Sequence, residues 1–268
     1  MKMQDTVTLM LVILGTLVWR IDAALGRERA VSEGLISYWS FDQETIEGKT
    51  VKDVWGANNG KIEGDPKVVK GKIGEGMEFN GGNQSVNVGD PADGSLDFGA
   101  RTDFTLEAWA FPKNTGSSMR IIDKKDGGDV GYMLEHNISD GFQPYANDGK
   151  GNASRVLEGM TRFEQWTHVV GVFERKGDVE LFVNGESVRS VPSDSQGKEN
   201  IDNKSPFYIG RRPGGERWKG ILDEIRVYKR VLTEEEIKQN FEARGGLAHS
   251  VEISGKLAIT WGRIKSSK

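Results

Sequence analysis

The acidic and histidine side chains of this 268-residue chain form no recognisable catalytic pattern. Hydrolysis of a glycosidic bond requires two carboxylates that flank the bond. Asp223 and Glu224 are adjacent in a predicted strand, so their side chains should lie on opposite faces of a sheet. His136, His168 and His249 are far apart and belong to no Gly-x-Ser-x-Gly or His-Glu-x-x-His motif. The sequence therefore predicts no catalytic residues and no enzyme activity.

A carboxylate and a large aromatic side chain share one face of another predicted strand, with the sequence FTLEAWAF at residues 104–111. An aromatic plane can stack on the apolar face of a sugar ring, and a carboxylate beside it can accept hydrogen bonds from hydroxyl groups. Glu107 and Trp109 are therefore candidate ligand-binding residues. Two alternatives remain open, because Glu107 can instead pair with a neighbour such as His168, and Trp109 can pack under a loop.

The stretch 219–241 predicts a buried strand that leads into a short helix. Apolar or β-branched residues alternate along 221–228, which is typical of a strand with one face in the core. The predicted faces hold Ile221, Asp223, Ile225 and Val227 on one side and Leu222, Glu224, Arg226 and Tyr228 on the other. Thr233 followed by Glu236 fits a capping box, and Ile237 with Phe241 supplies one apolar stripe for the helix.

Short strands separated by turns account for the rest of the chain. An Asn-Gly pair at 184–185 favours a tight hairpin, and no long helix interrupts the strand pattern. The sequence therefore predicts an all-β fold, an antiparallel β-sandwich of jelly-roll type with one short C-terminal helix. The predicted strands are 35–41, 76–79, 85–88, 104–111, 119–123, 132–136, 142–146, 166–173, 179–183, 207–209 and 221–228.

Composition excludes several classes of protein. The net charge is −4 and the signs are interspersed, so we expect no nucleic-acid partner. The chain has no cysteine, which excludes disulfides, thiol catalysis and thiolate metal sites. Its 35 glycines and 7 prolines fit many tight turns. One β-rich domain is therefore expected.

Both ends of the chain differ from its centre. Lys2, an apolar run over 6–19 and the small residues Ala23 and Ala24 predict a cleaved signal peptide at 1–23. The alternative is a retained anchor, but the apolar run is shorter than the roughly 20 residues that span a bilayer. At the other end, residues 243–268 form a basic extension that we expect to pack loosely or to contact a partner.

Eight motifs occur in the order found in laminin-G-like jelly-roll domains, which the chain resembles over residues 34–242. These domains are part of the concanavalin A-like lectin/glucanase superfamily. Each motif alone is only a strand with a turn, so the resemblance rests on the order in which the eight motifs occur. The motifs are GLISYWSFD, DVWGANNGKIEG, KIGEGMEFNG, FTLEAWAFP, WTHVVGVFE, VELFVNGE, FYIGRR and GILDEIRVYKRVLTEEEI.

The resemblance implies a structural calcium ion, which many members of the family bind. Its ligands would be an Asp after the first strand and an Asp in the Gly-x-x-Asp-Glu stretch, positions that Asp42 and Asp223 fill here. Ca²⁺ takes six to eight oxygen ligands, and the turn at Asn58 and Asn59 could contribute further oxygens. The alternative is that Asp42 is a turn residue and that Asp223 and Glu224 are an ordinary acidic pair.

The function expected from the sequence is recognition without catalysis. The predicted signal peptide implies an exported module, secreted or at the cell surface, and the resemblance implies that this module binds carbohydrate. Its expected partner is a glycan or an extracellular protein, with no retained membrane span. Protein–protein adhesion at the cell surface is the alternative, and glycoside hydrolysis is a distant third. Because a fold does not by itself determine a function, the structure has to supply the site.

Overall fold

The computed structural model describes residues 29–150, 153–157, 162–192 and 200–245. Val31–Glu242 form one compact unit, and a second unit combines the two ends of the chain. The signal peptide predicted at 1–23 lies outside the described residues, as do residues 246–268 of the predicted basic extension, so both stay predictions. No helix within the described ranges has the length and apolar character needed to cross a bilayer.

The described part of the chain folds into short strands and one α-helix. A single 3₁₀ turn, Gln43–Thr45, follows the first strand. The strands, in chain order, are β1 Leu35–Trp39, β2 Ile46–Glu47, β3 Thr50–Val51, β4 Gly60–Glu63, β5 Lys67–Lys70, β6 Glu75–Asn80, β7 Ser85–Gly89, β8 Phe104–Pro112, β9 Met119–Lys125, β10 Gly131–Asn137, β11 Gly141–Asn147, β12 Ala153–Arg155, β13 Thr167–Phe173, β14 Asp178–Val183, β15 Glu186–Pro192, β16 Phe207–Ile209 and β17 Lys219–Tyr228, and the helix is α1, Glu234–Glu242.

These strands form two antiparallel sheets. The eight-stranded sheet has the order β15-β14-β13-β8-β17-β6-β5, and β1 pairs with β17 beyond the end of β6. The nine-stranded sheet has the order β12-β11-β10-β9-β16-β7-β4-β3-β2. The predicted antiparallel sandwich with one short C-terminal helix is confirmed.

Rows of apolar side chains from both sheets form the core. In the nine-stranded sheet one cross-strand row is entirely apolar and buried, and consists of Val86, Ile209, Ile122 and Leu134. In the eight-stranded sheet the inner face of β8 consists of Phe104, Leu106, Ala108 and Ala110, which are all in the core. Full burial of a Phe or Leu side chain contributes about 1.5–3 kcal/mol. Alternate residues of the same strands point away from the core.

A β-bulge in β17 changes which residues share a face. The pairing with β8 shifts register between Asp223 and Arg226, and Glu224 has a φ of 54°. A bulge inserts one unpaired residue, so the alternation reverses beyond it. Leu222, Ile225 and Val227 are in the core, while Asp223 and Arg226 pair with the outward-facing Trp109 and Glu107. The predicted division of β17 into two faces was therefore wrong, because it assumed an uninterrupted strand.

Helix α1 begins with the predicted capping box. The backbone N–H of Glu236 donates to Thr233 Oγ1 at 3.3 Å, and the backbone N–H of Thr233 donates to Glu236 Oε2 at 2.9 Å. Ile237 is fully buried, and the ring of Phe241 stacks on Trp109 with 5.6 Å between centroids. The helix therefore covers the outer face of the eight-stranded sheet.

His136 on β10 is fully buried without a hydrogen-bond partner for either ring nitrogen among the described residues. Its ring lies 5.0 Å from that of Phe142 and 5.1 Å from that of Phe163. Burial in this apolar site lowers the pKa of His136 from 6.5 to about 4. The imidazole is therefore neutral in the folded protein at neutral pH.

Acid should destabilise the protein through His136. The pKa of His136 is lower in the folded protein than in the unfolded chain, so protonation favours the unfolded chain. The contribution of neutral His136 to the free energy of unfolding is therefore full above pH 6.5 and is lost as the pH falls towards 4. Between pH 7 and pH 5 we expect the free energy of unfolding to fall about 2 kcal/mol further in the natural protein than in His136→Leu. Urea denaturation at both pH values measures this difference, and equal losses in the two proteins would contradict it.

Candidate functional site

A group of charged and polar side chains lies buried between the outer face of the eight-stranded sheet and α1. Glu107 of β8 is fully buried, and its Oε1 accepts a hydrogen bond from Arg226 Nη1 at 2.8 Å and lies 3.0 Å from His168 Nε2. Its Oε2 accepts a hydrogen bond from Asn240 Nδ2 at 2.6 Å. Both carboxylate oxygens are thus held by partners from β17, β13 and α1.

Arg226 is the cation of this group. Its Nη2 contacts Glu224 Oε2, and its guanidinium lies 4.7 Å from the ring centre of Tyr38, whose hydroxyl donates to Glu224 Oε1 at 2.6 Å. Burial acts to raise the pKa of Glu107, but Arg226 and His168 outweigh it and hold that pKa below its usual value. We call this group the Arg226 cluster, which comprises Tyr38, Glu107, His168, Glu224, Arg226 and Asn240.

The placement of Glu107 and Trp109 contradicts their predicted ligand-binding role. Glu107 is fully buried and Trp109 is 1% exposed, so neither offers a surface to a sugar. The alternative contact of Glu107 with His168 is confirmed, at 3.0 Å. Trp109 packs under a helix rather than a loop, with its ring near Phe241 and with Lys72 Nζ 4.2 Å from its centre. A polar residue in a strand can face solvent or a covering helix, and the strand pattern does not distinguish the two cases.

Asp42 and Asp223, the two predicted metal-binding aspartates, hold the same turn between β5 and β6. Asp223 Oδ2 accepts hydrogen bonds from the backbone N–H groups of Lys72 at 2.8 Å and Ile73 at 3.0 Å. Asp42 Oδ1 accepts one from the backbone N–H of Glu75 at 2.9 Å. The structure thus brings together two carboxylates that are 181 residues apart in the chain.

The surroundings of these aspartates fit a cation. Asp223 Oδ1 is buried and has no hydrogen-bond partner in the described part of the chain. Burial and the nearby carboxylates of Glu224 and Asp42 raise the pKa of Asp223 to about 8. A Cβ atom at Gly71 would lie 2.6 Å from Asp223 Oδ2, and one at Gly74 would lie 2.3 Å from Asp42 Oδ1. Because glycine has no Cβ atom, the turn can approach the carboxylate oxygens of Asp42 and Asp223 closely at both positions.

A calcium ion at this position would require carbonyl or water oxygens in addition to the two carboxylates. In the described ranges, no group of three or more acidic, histidine or cysteine side chains has the geometry of a metal site. Bound here, Ca²⁺ would neutralise the repulsion between Asp42 and Asp223 and fix the turn to β17. Its role would be structural.

The predicted oxygen donors Asn58 and Asn59 are engaged by a different carboxylate, that of Asp53. The backbone N–H of Asn58 donates to Asp53 Oδ2 at 3.0 Å, and Asn59 Oδ1 accepts from the backbone N–H of Asp53 at 2.9 Å. The carbonyl oxygen of Asn58 accepts from the indole N–H of Trp39 at 2.9 Å. These contacts argue against Asn58 and Asn59 as ligands of the same ion as Asp42 and Asp223, because they organise another loop.

The loop 53–59 between β3 and β4 presents an exposed aromatic ring. Asp53 Oδ1 accepts hydrogen bonds from the backbone N–H groups of Tyr38, Trp55 and Gly56, at 2.9, 3.1 and 2.9 Å. The indole N–H of Trp55 donates to the carbonyl oxygen of Leu35 at 2.8 Å. Yet Trp55 is 48% exposed. Its ring is therefore fixed at one edge while much of its apolar surface faces solvent.

Comparison with known proteins identifies the fold family. A family model described as the concanavalin A-like lectin/glucanases superfamily matches residues 80–238, which is more than half of the chain. The chain belongs to this superfamily. The predicted resemblance to laminin-G-like domains is thereby confirmed, and the two antiparallel sheets agree with it.

Two curated relatives of this superfamily member are adhesion receptors. The chain is 24% identical over 143 residues to adhesion G-protein coupled receptor V1 of Danio rerio, covering 51% of this chain and 2% of the receptor. It is 26% identical over 147 residues to human adhesion G-protein coupled receptor D1, covering 51% of this chain and 16% of that receptor. The aligned region is therefore a small part of either receptor.

Solved structures with the same fold include the binding domain of a mosquitocidal protein and one domain of an extracellular arabinanase. The binding domain of Paraclostridial Mosquitocidal Protein 1 aligns with a TM-score of 0.64 and 20% identity, over 78% of this chain and 52% of that one. Domain 4 of the extracellular arabinanase AbnA of Geobacillus stearothermophilus, in complex with arabinotriose, aligns with a TM-score of 0.58 and 17% identity, over 77% and 97%. At these identities the likeness concerns the fold alone.

Sequence reasoning missed the two residues that shape the exposed loop. Asp53 accepts four backbone N–H groups, and Trp55 presents the ring, but both lie in a stretch that was interpreted only as a turn. A tryptophan among Gly and Asn residues, outside any alternating strand pattern, is the signal that could have indicated it.

Proposed function

We propose that this protein is an extracellular recognition module that binds carbohydrate through the face of Trp55. The observation that carries the proposal is the exposure of this ring on a loop that is held by hydrogen bonds. A flat aromatic face can stack on the apolar face of a sugar ring. Because the loop is already ordered by Asp53, little conformational entropy would be lost on binding.

Four other aromatic rings on the outward-facing sides of the sheets are less available for stacking than that of Trp55. Each lies against a cation, and each is at most 9% exposed. The pairs are Lys72 with Trp109, Lys125 with Tyr145, Arg211 with Tyr208 and Arg226 with Tyr38. Trp55 and Val188 are the large hydrophobic side chains exposed in the described part of the chain. Trp55 is therefore the better candidate for a sugar platform.

The comparisons support a binding role. Two proteins of the same fold are described in complex with sugars, domain 4 of AbnA with arabinotriose and a botulinum neurotoxin serotype D ligand binding domain with N-acetylneuraminic acid. The curated relatives are adhesion receptors, which fits an extracellular location for this chain. We further propose that calcium at Asp42 and Asp223 stabilises the module.

Protein–protein adhesion is the second candidate. Tryptophan is also enriched at the centres of protein interfaces, so the same exposed ring could anchor a protein partner, as the adhesion receptors among the relatives would suggest. Hydrolysis is disfavoured, since Glu107, Asp223 and Glu224 are fully buried and have no access to a substrate. A glycan array therefore separates the first two candidates.

Replacing Trp55 by alanine should weaken sugar binding without unfolding the protein. Loss of the stacking face should weaken binding to any array-positive glycan by at least about 10-fold, and Trp55→Phe should retain part of the affinity. Val188→Ala is the matched control, because Val188 is the other exposed large hydrophobic residue. Calorimetric titration measures the affinities. An array without a positive glycan, or equal affinities for natural protein and Trp55→Ala, would overturn the proposal.

A further inference from the structure

Lys124 places a buried ammonium group among oxygen atoms from two loops. Its side chain is 1% exposed, and its Nζ lies 2.9 Å from Asp90 Oδ1 and 3.1 Å from Asp97 Oδ1. It donates further to the carbonyl oxygens of Asn203, at 3.1 Å, and Ser205, at 3.4 Å. Two carboxylates and two carbonyl oxygens surround the ammonium group in the way that oxygen ligands surround a metal ion. Here, however, the cation is a side chain of the protein.

The charges at this position balance inside the protein. Burial of an ammonium group is costly unless opposite charges and hydrogen-bond acceptors surround it. The carboxylates of Asp90 and Asp97 supply that charge, and the exposed Lys204 adds a second cation 3.5 Å from Asp90 Oδ2. Removal of the Lys124 charge would leave two neighbouring carboxylates that repel each other.

Loop 90–97, which contains the two carboxylates paired with Lys124, contacts loop 53–59, which carries Trp55. Asn58 Nδ2 donates to Ser95 Oγ at 3.0 Å, and Ser95 Oγ lies 3.2 Å from Asn58 Oδ1. Asn58 in turn donates from its backbone N–H to Asp53, which accepts from the backbone N–H of Trp55. A continuous series of contacts therefore joins Lys124 to Trp55 through residues 90–97.

Loop 200–205 is joined by hydrogen bonds to β9, the strand that carries Lys124. Asn203 Nδ2 donates to the carbonyl oxygens of Lys124 at 3.1 Å and Val130 at 3.0 Å. The backbone N–H of Gly99 donates to Asp202 Oδ1 at 2.6 Å. Residues 90–99 and 200–205 are therefore fastened to each other and to β9, with the ammonium group between them.

We propose that Lys124 is a positioning residue for the Trp55 site. Its ammonium group, a cation covalently attached to the protein, orders loops 53–59 and 90–99 without a bound metal ion. A covalently attached ammonium group cannot be removed by a chelator. Ligand binding at Trp55 should therefore persist in the absence of calcium, even if calcium at Asp42 and Asp223 adds to global stability. The inference rests on the proposed function only in taking Trp55 as the ligand contact.

Hydrogen exchange followed by mass spectrometry tests the inference without a ligand. In the natural protein, well below its melting temperature, amides of residues 53–59 and 90–99 should exchange within about two-fold of the same rates in calcium and in EGTA. In Lys124→Gln the same amides should exchange at least about 10-fold faster, while those of α1 should not change. Lys113→Gln is the control, because Lys113 also pairs with a carboxylate, Glu78, but is 39% exposed.

Several results would overturn the inference. Faster exchange of these loops in EGTA in the natural protein would make calcium, not Lys124, their organiser. A uniform rise in Lys124→Gln, including α1, would reduce the residue to a general structural role. If Lys124→Gln fails to fold, Asp97→Asn should loosen the same loops, and unchanged exchange there would count against the inference. Failure of the glycan array affects only the proposed function, since exchange is measured without a sugar.

Discussion

Replacement of Arg226 by methionine is expected to lower the free energy of unfolding by about 3–5 kcal/mol. Arg226 is fully buried and forms ion pairs with both Glu107, at 2.8 Å from Nη1, and Glu224. Without the guanidinium, two carboxylates would remain beneath α1 with no cation between them. Breaking a buried ion pair by removing one partner is among the most destabilising single changes in a protein. Chemical denaturation at pH 7 measures the loss.

Two further variants separate charge from packing. Lys113→Met removes a half-exposed ion pair with Glu78 and should cost no more than about 1 kcal/mol. The triple variant Arg226→Met, Glu107→Gln and Glu224→Gln should regain much of the stability, since it removes the unpaired charges together with the cation. If the triple variant is as unstable as Arg226→Met, the loss comes from packing and not from charge.

Calcium is expected to raise the melting temperature by about 5–10 °C. An ion present at one hundred times its dissociation constant stabilises the folded state by about 2.7 kcal/mol, and 1 kcal/mol corresponds to roughly 2–4 °C in a domain of this size. The expected ligands are Asp42 and Asp223, whose carboxylates contact the same turn, and Asp223 Oδ1 has no hydrogen-bond partner among the described residues. Calorimetry in calcium and in EGTA measures the gain.

Asp223→Asn should lose this gain while keeping the hydrogen bonds of the turn. In EGTA the variant should be at least as stable as the natural protein, because a neutral amide replaces a buried carboxyl group whose ionisation is opposed by burial. Asp65→Asn is the control, since that side chain is 91% exposed and pairs with Lys49 at the surface. A natural protein that melts at the same temperature in calcium and in EGTA would exclude an ion at Asp223.

The fold could be predicted because its signals are local. Alternation in 104–111 and the Thr233–Glu236 capping box each depend on a few neighbouring residues, and both occur as expected. β1 also pairs with β17, so the first and last strands of the region that resembles the family lie side by side. Local pattern and resemblance together were therefore sufficient for the architecture.

The site could not be predicted to the same extent, because its determinants are not local. Alternation places Glu107 away from the core but cannot show that α1 covers it, and it cannot locate the bulge that gives Glu224 a positive φ. This bulge brings the carboxylate of Glu224 to the same cluster as Glu107, whereas adjacency predicted opposite faces for Asp223 and Glu224. The contacts of Asp53 and Lys124 depend on loops that meet only in the folded chain.

The hydrogen bond between the two ends of the compact unit has a consequence for how this domain can be combined with others. The backbone N–H of Val31 donates to Asn240 Oδ1 at 2.7 Å, and the Tyr228 hydroxyl donates to the carbonyl oxygen of Val31 at 2.9 Å. A polypeptide that enters at Val31 thus leaves close to the same point. Such a domain can be inserted into a long multidomain protein without adding to the distance between the domains on either side of it.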